Sequence, residues 1–327
     1  MIQGMKRASF RLFCLFVLTA LLTVSCTSIH SIGEETDSNS ETRASSEITA
    51  SNTDRNNELR TRIEQIAQAA QGRVGMTATV LEPGELVTLN GDQQFPMQSV
   101  YKFPIAMAVL VQVDQGNLKL DQQIRIEASD IVQESQVLEA NSKGREFRLA
   151  ELLQYMVSKS DSTACDALLR LIGGPQQVTE YLNSLGINHI VVANTENEIQ
   201  FGQDPTLQYR NYATPDAAVN LLRAFHEGRG LSDSSQAALR QWMTETSTGS
   251  NRIKGLLLEE TVVAHKTGTS ATVDGVTAAT NDVGIVTLPN GQHLAIAVFV
   301  SDSRANVTIR EEVIAKVAKA AWDKWSR

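Results

Sequence analysis

Residues with strand character cluster towards both ends of this chain, and a long helical stretch separates them. GMTATVLEP and ELVTLN, on either side of the turn signal Pro83-Gly84, read as two strands. After Arg252, TVVAHKTGT, DVGIVTL and LAIAVFVS read as three more, with Pro289-Asn290-Gly291 as a turn. Between the two groups lie a helix that carries Ser99 and ends near Gly116, then LAELLQYMV, SDSTACDALLRLI and QQVTEYLNSL, punctuated by Gly173-Gly174-Pro175. TPDAAVNLLRAFHEG and SDSSQAALRQWMTET follow as helices opening on a Thr or Ser cap. Leu59, Ile63, Ile66 and Ala70 mark a helix before the first strand, and VTIREEVIAKVAKAAWDKW one after the last. This order predicts an α/β lobe assembled from both ends of the chain, with an inserted helical lobe. The α/β lobe is expected to take residues 57–95 and 245–327, the helical lobe 96–244. Residues 188–212 show no sustained periodicity and are expected to form a long irregular loop, and such loops usually carry function or disorder.

Lys6, Arg7 and Arg11 precede an apolar run, Leu12 to Val24, too short to span a bilayer. Residues 1–26 are therefore expected to be an export signal. Small residues before Cys26 suit lipidation of that cysteine, although Thr23 stands where leucine is usual; a plain cleavable signal is the other reading. Residues 27–56 are rich in Ser, Thr and Glu, bury too little apolar surface to fold, and suit a tether. With Cys14 and Cys26 assigned to the leader, Cys165 has no disulfide partner in the folded part and is expected to be a packed core thiol. The net charge of −8 and the absence of a basic stripe argue against a nucleic-acid surface. The five histidines are scattered, with no H-x-x-x-H or C-x-x-C spacing, so no metal is expected.

Ser99-Val100-Tyr101-Lys102 stands where a polar segment becomes a long apolar helix. Residues three apart share a helical face, so an ammonium can approach the hydroxyl. An amine whose pKa is lowered by burial or by other cations can serve as the base of a serine nucleophile. Alone, the pair also fits an ordinary helix start with a surface lysine. Further along come Ser160-Asp161-Ser162 at a helix junction, a loop with Glu196, and Lys266-Thr267-Gly268-Thr269 on a strand. A junction serine is commonly an N-cap, and a strand lysine beside glycine is commonly a surface residue. The order S-x-x-K, then S-D-x, then K-T-G is far more specific than any of its parts.

In that order of motifs, residues 57–327 resemble a class A serine β-lactamase, and its smaller, second branch in particular. The resemblance implies a two-lobe serine β-lactamase/transpeptidase-like fold: an antiparallel sheet flanked by helices, plus an all-helical lobe. It implies hydrolysis of penicillin- and cephalosporin-type β-lactams through a Ser99 acyl-enzyme, without a cofactor. Lys102 would be a candidate base for acylation and a partner of Ser99. Ser160 would relay a proton to the departing lactam nitrogen, and Lys266 would supply a positive field. The backbone N–H groups of Ser99 and Thr269 would form an oxyanion hole. Glu196 would activate the deacylating water, with Glu198 as its rival. Arg252, Thr267, Gly268, Thr269 and Ser162 would bind substrate, the arginine reaching its carboxylate. The protein would be an exported, periplasmic monomer, with a candidate lipid anchor at Cys26.

The sequence departs from the family pattern at two positions. Ser162 stands where asparagine is usual, and its shorter side chain puts the reach to substrate and lysine in question. Gln200 stands where asparagine commonly holds the hydrolytic water. Asp166, after Ala164-Cys165, again resembles the smaller branch, and IVQESQVLEA offers no identifiable aromatic gate. A D-Ala-D-Ala peptidase shares the three motifs but would lack a deacylating glutamate. A β-lactam-binding, weakly active lipoprotein is the third reading, supported by Ser162.

Overall fold

The structure, a computed structural model, describes residues 54–326 apart from 83, 203 and 205. The leader, Cys26 and most of the Ser/Thr/Glu-rich segment lie outside the described residues. Among the described residues no helix is long and apolar enough to cross a membrane.

Helix α1 covers 54–67 and precedes β1 (Arg73–Val80), β2 (Val87–Leu89) and β3 (Phe95–Pro96). The middle of the chain holds α2 (Lys102–Asp114), the hairpin β4 (Gln123–Arg125) and β5 (Glu146–Arg148), α3 (Leu149–Ser158), α4 (Ser162–Leu171) and α5 (Pro175–Ser184). Then come β6 (Ile190–Val191), α6 (Glu196–Phe201), β7 (Tyr212–Ala213), α7 (Pro215–His226) and α8 (Asp233–Thr244). The chain finishes with β8 (Val263–Thr269), β9 (Thr272–Val273), β10 (Val276–Thr287), β11 (His293–Ser303) and α9 (Val307–Trp325). The main sheet is antiparallel in the order β2-β1-β11-β10-β8, with β9 paired to β10. All five expected strands are in it. The two ends of the chain meet where β1 pairs β11.

Both faces of the sheet are covered, which is why its strands read as nearly unbroken apolar runs. The period of two divides them. Ala295, Ala297 and Phe299 of β11, with Val283 and Ile285 of β10, join the core of the helical lobe. Leu294, Ile296, Val298 and Val300 face the other way and join Leu59 and Ile63 of α1 and Val313, Ile314 and Val317 of α9. Helix α2 is buried without interruption from Lys102 to Leu110. A helix apolar on every side belongs at the centre of a bundle, and α3, α4, α5 and α8 pack around it.

The stretch expected to be an irregular loop contains short elements. Strands β6 and β7 pair with each other, and β7 pairs with β3. Two-residue strands and a six-residue helix are too short to show a period, so their absence from the sequence pattern is a matter of length.

Strand β8 presses against the turn that carries Ser99. A Cβ on Gly268 would stand 2.2 Å from Met97 O and 3.1 Å from Val100 N, both backbone atoms that cannot swing aside. Gly268→Ala is expected to lower stability by about 1–3 kcal/mol through overpacking, read as a lower denaturant midpoint. Phe299 is fully buried and stacks on Phe95, with ring centroids 5.8 Å apart. Phe299→Ala should cost about 3–5 kcal/mol, and an unchanged midpoint in urea would refute this account of the core.

Candidate active site

Ser99 lies on a 3-10 turn, Gln98–Tyr101, that leads into α2 at Lys102. The α-helical placement expected for it is thus corrected by one turn. Residues three apart eclipse in a 3-10 turn, so Ser99 and Lys102 keep a common side. The turn is clamped from outside. Asn281 Nδ2 on β10 donates to Pro96 O (2.7 Å) and Met97 O (3.1 Å). Met97 N donates to Asn211 O (2.8 Å). Ser99 is half-buried, and its Oγ has no hydrogen-bond partner among the described residues.

Lys102 is fully buried. Its Nζ donates to Ser160 O (2.7 Å) and Ser162 Oγ (3.1 Å), and lies 2.9 Å from Glu196 Oε1. Ser162, shorter than the usual asparagine, therefore still reaches the lysine. Burial, the largest influence, opposes the charge on Lys102, but Glu196, Cys165 and Asp161 together outweigh it and hold the ammonium above the ordinary lysine range. The amine with a lowered pKa is instead Lys266. Burial, then the repulsion of Lys102 and Arg252, bring it down to about 7 against the weaker pull of Asp282 and Glu196. Lys266 Nζ donates to Ser160 Oγ (2.9 Å) and Thr267 O (3.0 Å).

Asp161, not Ser160, is the cap of α4. Its Oδ1 accepts from Ala164 N (2.7 Å) and its Oδ2 from Val137 N (2.7 Å) and Leu138 N (2.9 Å). The neighbouring loop is pinned too, since Ser135 Oγ accepts from Ser162 N and Thr163 N. Ser160 is thereby free of capping. Its φ of 61° is the left-handed region that non-glycine residues avoid, and a strained backbone held by such surroundings aims its hydroxyl at Lys266.

Glu196 and Glu198 have separate tasks. Thr195 caps α6: its Oγ1 accepts from Glu198 N (3.1 Å), while Glu198 Oε2 accepts from Thr195 N (3.0 Å). This is a reciprocal capping box, and it occupies Glu198. Glu196 turns inward to Lys102. Asp166 carries the start of α6, accepting from Glu196 N and Asn197 N at 2.8 Å each. Buried Asn211 holds the approach, its Oδ1 accepting from Ala193 N and Asn194 N. Gln200 faces elsewhere: its amide accepts from Gln133 N and donates to Gln133 O, both at 3.0 Å, tying the α6 segment to the β4–β5 connection. Cys165 is buried under α2 with its Sγ 3.9 Å from Tyr101 Oη, and burial pushes its thiol well up, as suits an inert core cysteine.

Strand β8 is the edge of the sheet. Ser270 N donates to Ala279 O (3.0 Å), so alternation along the antiparallel ladder makes Thr269 opposite Thr280 a non-hydrogen-bonded pair. The Thr269 N–H and the Thr267 C=O therefore point out of the sheet towards the serines. Arg252 is buried rather than reaching freely into the cleft. It donates through Nη1 to Gly268 O (3.2 Å) and Asn281 O (2.9 Å), through Nη2 to Thr269 Oγ1 (2.7 Å), and through Nε to Glu311 Oε1 (3.1 Å). It buttresses the end of β8 and orients Thr269. Thr267 Oγ1 shares a hydrogen bond with Thr248 Oγ1 (2.6 Å). Asn211, Asn281 and Ser135 escape a sequence reading, because each bonds backbone groups far away in the chain and leaves no spacing. The capping box T-x-x-E at Thr195 was the available signal for separating the two glutamates.

The site thus joins a half-exposed serine, a second serine on a buried cation, a carboxylate on the other buried cation, and an outward N–H. A sequence model of the "Beta-lactamase enzyme family" matches residues 58–325. The chain is 42% identical over 270 residues to β-lactamase VEB-1 of Pseudomonas aeruginosa, covering 81% of this chain and 89% of that one. It is 43% identical over 268 residues to extended-spectrum β-lactamase PER-1 of the same organism, covering 81% and 86%. Among solved structures, a β-lactamase from Chitinophaga pinensis DSM 2588 superposes with a TM-score of 0.78 at 45% identity, covering 81% of this chain and 98% of that one. The TLA-1 extended-spectrum β-lactamase superposes with a TM-score of 0.80 at 39% identity, covering 83% and 99%. Together with the cleft, these likenesses establish that the chain belongs to the β-lactamase enzyme family, as a class A serine β-lactamase that hydrolyses β-lactams.

Proposed function

We propose that Ser99 is the nucleophile and Glu196 the base of the hydrolytic step. Ser99 Oγ attacks the lactam carbonyl carbon, the C–N bond breaks, and the nitrogen takes a proton from Ser160, which Lys266 replenishes. The carbonyl oxygen, negative in the tetrahedral state, lies between the N–H groups of Ser99 and Thr269. Water then attacks the ester carbonyl while Glu196 takes its proton, and the Ser99–acyl bond breaks with return of a proton to Oγ. The observation that carries this reading is Glu196 Oε1, buried and 2.9 Å from the buried Lys102 Nζ. A carboxylate paired with the ammonium three residues from Ser99 is placed to take a proton from water beside that serine. Lys102, charged at rest, can take the Ser99 proton only after passing its own to Glu196; Glu196 then releases that proton to solvent, and Lys266 regains one from solvent, before Glu196 serves the hydrolytic step.

Thr267, Gly268, Thr269 and Ser162 form the walls for the substrate, with Arg252 acting on its carboxylate through Thr269. The extended-spectrum descriptions of PER-1 and TLA-1 support an extended range of β-lactam substrates. No cofactor enters this scheme. The leader pattern supports export to the periplasm, with Cys26 as a candidate lipid anchor beside the alternative of a plain cleavable signal, and residues 27–56 as a tether.

Mass spectrometry after mixing with a penicillin tests the assignment. The native protein should gain the mass of the drug only transiently, whereas Glu196→Gln should retain it on Ser99. Undiminished turnover in that variant would remove Glu196 from the step. A second expectation concerns pH. Lys266 is charged below about 7 and loses its proton above. kcat/KM, which reports the free enzyme, should therefore fall on the alkaline side with a midpoint near 7. A bound substrate carboxylate favours the ammonium, so the matching limb in kcat should lie at higher pH. A flat kcat/KM from pH 6 to 9 would exclude Lys266 as a charge-bearing group.

A further inference from the structure

Glu82, His226 and His293 come together at the β10–β11 turn end of the sheet, beside the C-terminal end of α7 and away from the catalytic side chains. Glu82 follows β1, His226 ends α7 and His293 opens β11. One ligand atom from each lies within 4.8 Å of the other two, and all three residues are half-buried. The carboxylate is oriented by the strand, with Oε2 accepting from His293 N and Oε1 lying 3.0 Å from His293 Nδ1. The two imidazoles stand 4.6 Å apart between centroids, at 50°. We propose that these three side chains bind a divalent transition metal of the zinc class.

Two imidazoles and one carboxylate are a recurrent zinc donor set, with water as the fourth ligand. Imidazole nitrogens favour zinc, nickel or copper over magnesium or calcium, which take all-oxygen sites. Zinc bonds of about 2.0–2.1 Å put tetrahedral ligand atoms about 3.3 Å apart, so the cluster closes on an ion by modest side-chain rotation. Arg240 Nη2 lies 3.5 Å from His226 Nδ1. As a donor only, it competes with a metal for the imidazole lone pair. A bound ion would join the C-terminal end of α7 to β1 and β11, on which that helix packs. It would stabilise the folded state alone. The active site is separate: His293 pairs Thr287 while Lys266 pairs Val283, four residues or about 13 Å along β10.

Titration of the metal-stripped protein with zinc chloride, followed by calorimetry and by thermal unfolding, tests the proposal. One equivalent should bind and raise Tm; nickel should do likewise and magnesium should not. His226→Gln and His293→Gln should each weaken zinc binding at least about tenfold. Glu82→Gln, which keeps an acceptor for the His293 N–H, should do the same, and Arg240→Gln should tighten binding. β-Lactam turnover should be equal with and without zinc. The proposal fails if zinc does not bind, if magnesium binds equally, or if the metal alters turnover by entering the active site. It fails equally if variants with the native circular dichroism spectrum bind zinc as the parent does.

Discussion

The ammonium of Lys102 is the constraint on which the site depends. It lies fully buried at the first residue of α2, a helix otherwise buried in apolar side chains as far as Leu110. Withdrawing such a charge from water costs several kcal/mol unless partners surround it. The partners are a backbone carbonyl and a hydroxyl from the α3–α4 junction and a carboxylate from α6. Segments distant in sequence are thus drawn to one point by a single electrostatic demand. Much of the nearby hydrogen bonding serves it indirectly: Asp161 and Ser135 fix the junction, and Asp166 and Asn211 fix the approach of Glu196.

The same charge sets the character of the second lysine. Lys266 is as deeply buried, but its closest contacts are neutral oxygens, and Lys102 and Arg252 repel it. Two residues of one type thereby acquire opposite behaviour, one firmly charged and the other near the point of releasing its proton. Environments that push titrations apart are how a site divides its acid and base duties.

Much of this was legible in the sequence, for identifiable reasons. The strands of the main sheet are long and covered on both faces, so they stand out as apolar runs. S-x-x-K and K-T-G are readable because a turn and a strand each bring spacing directly into space. The 3-10 turn under Ser99, the short β6, β7 and α6, and the buried position of Arg252 were not legible, since none imposes a period. Which lysine carries the lowered pKa depends on a carboxylate ninety-four residues from Lys102 in the chain (Glu196), and no local pattern encodes that. The separation of Glu196 from Glu198 is different: Thr195 and Glu198 announce a cap, and capping physics decides which glutamate remains free.

The strand order has a consequence for when the protein can fold. Strand β11 lies between β1 and β10, yet it is the last strand of the chain. Until it leaves the ribosome, β1 has only the three-residue β2 beside it, and the core beneath Phe299 has no floor. Contacts of such long sequence separation form slowly, because loop closure must precede any gain from burial. The main sheet of the nascent chain is consequently incomplete until synthesis is nearly finished, so the cleft beside β8 is assembled last.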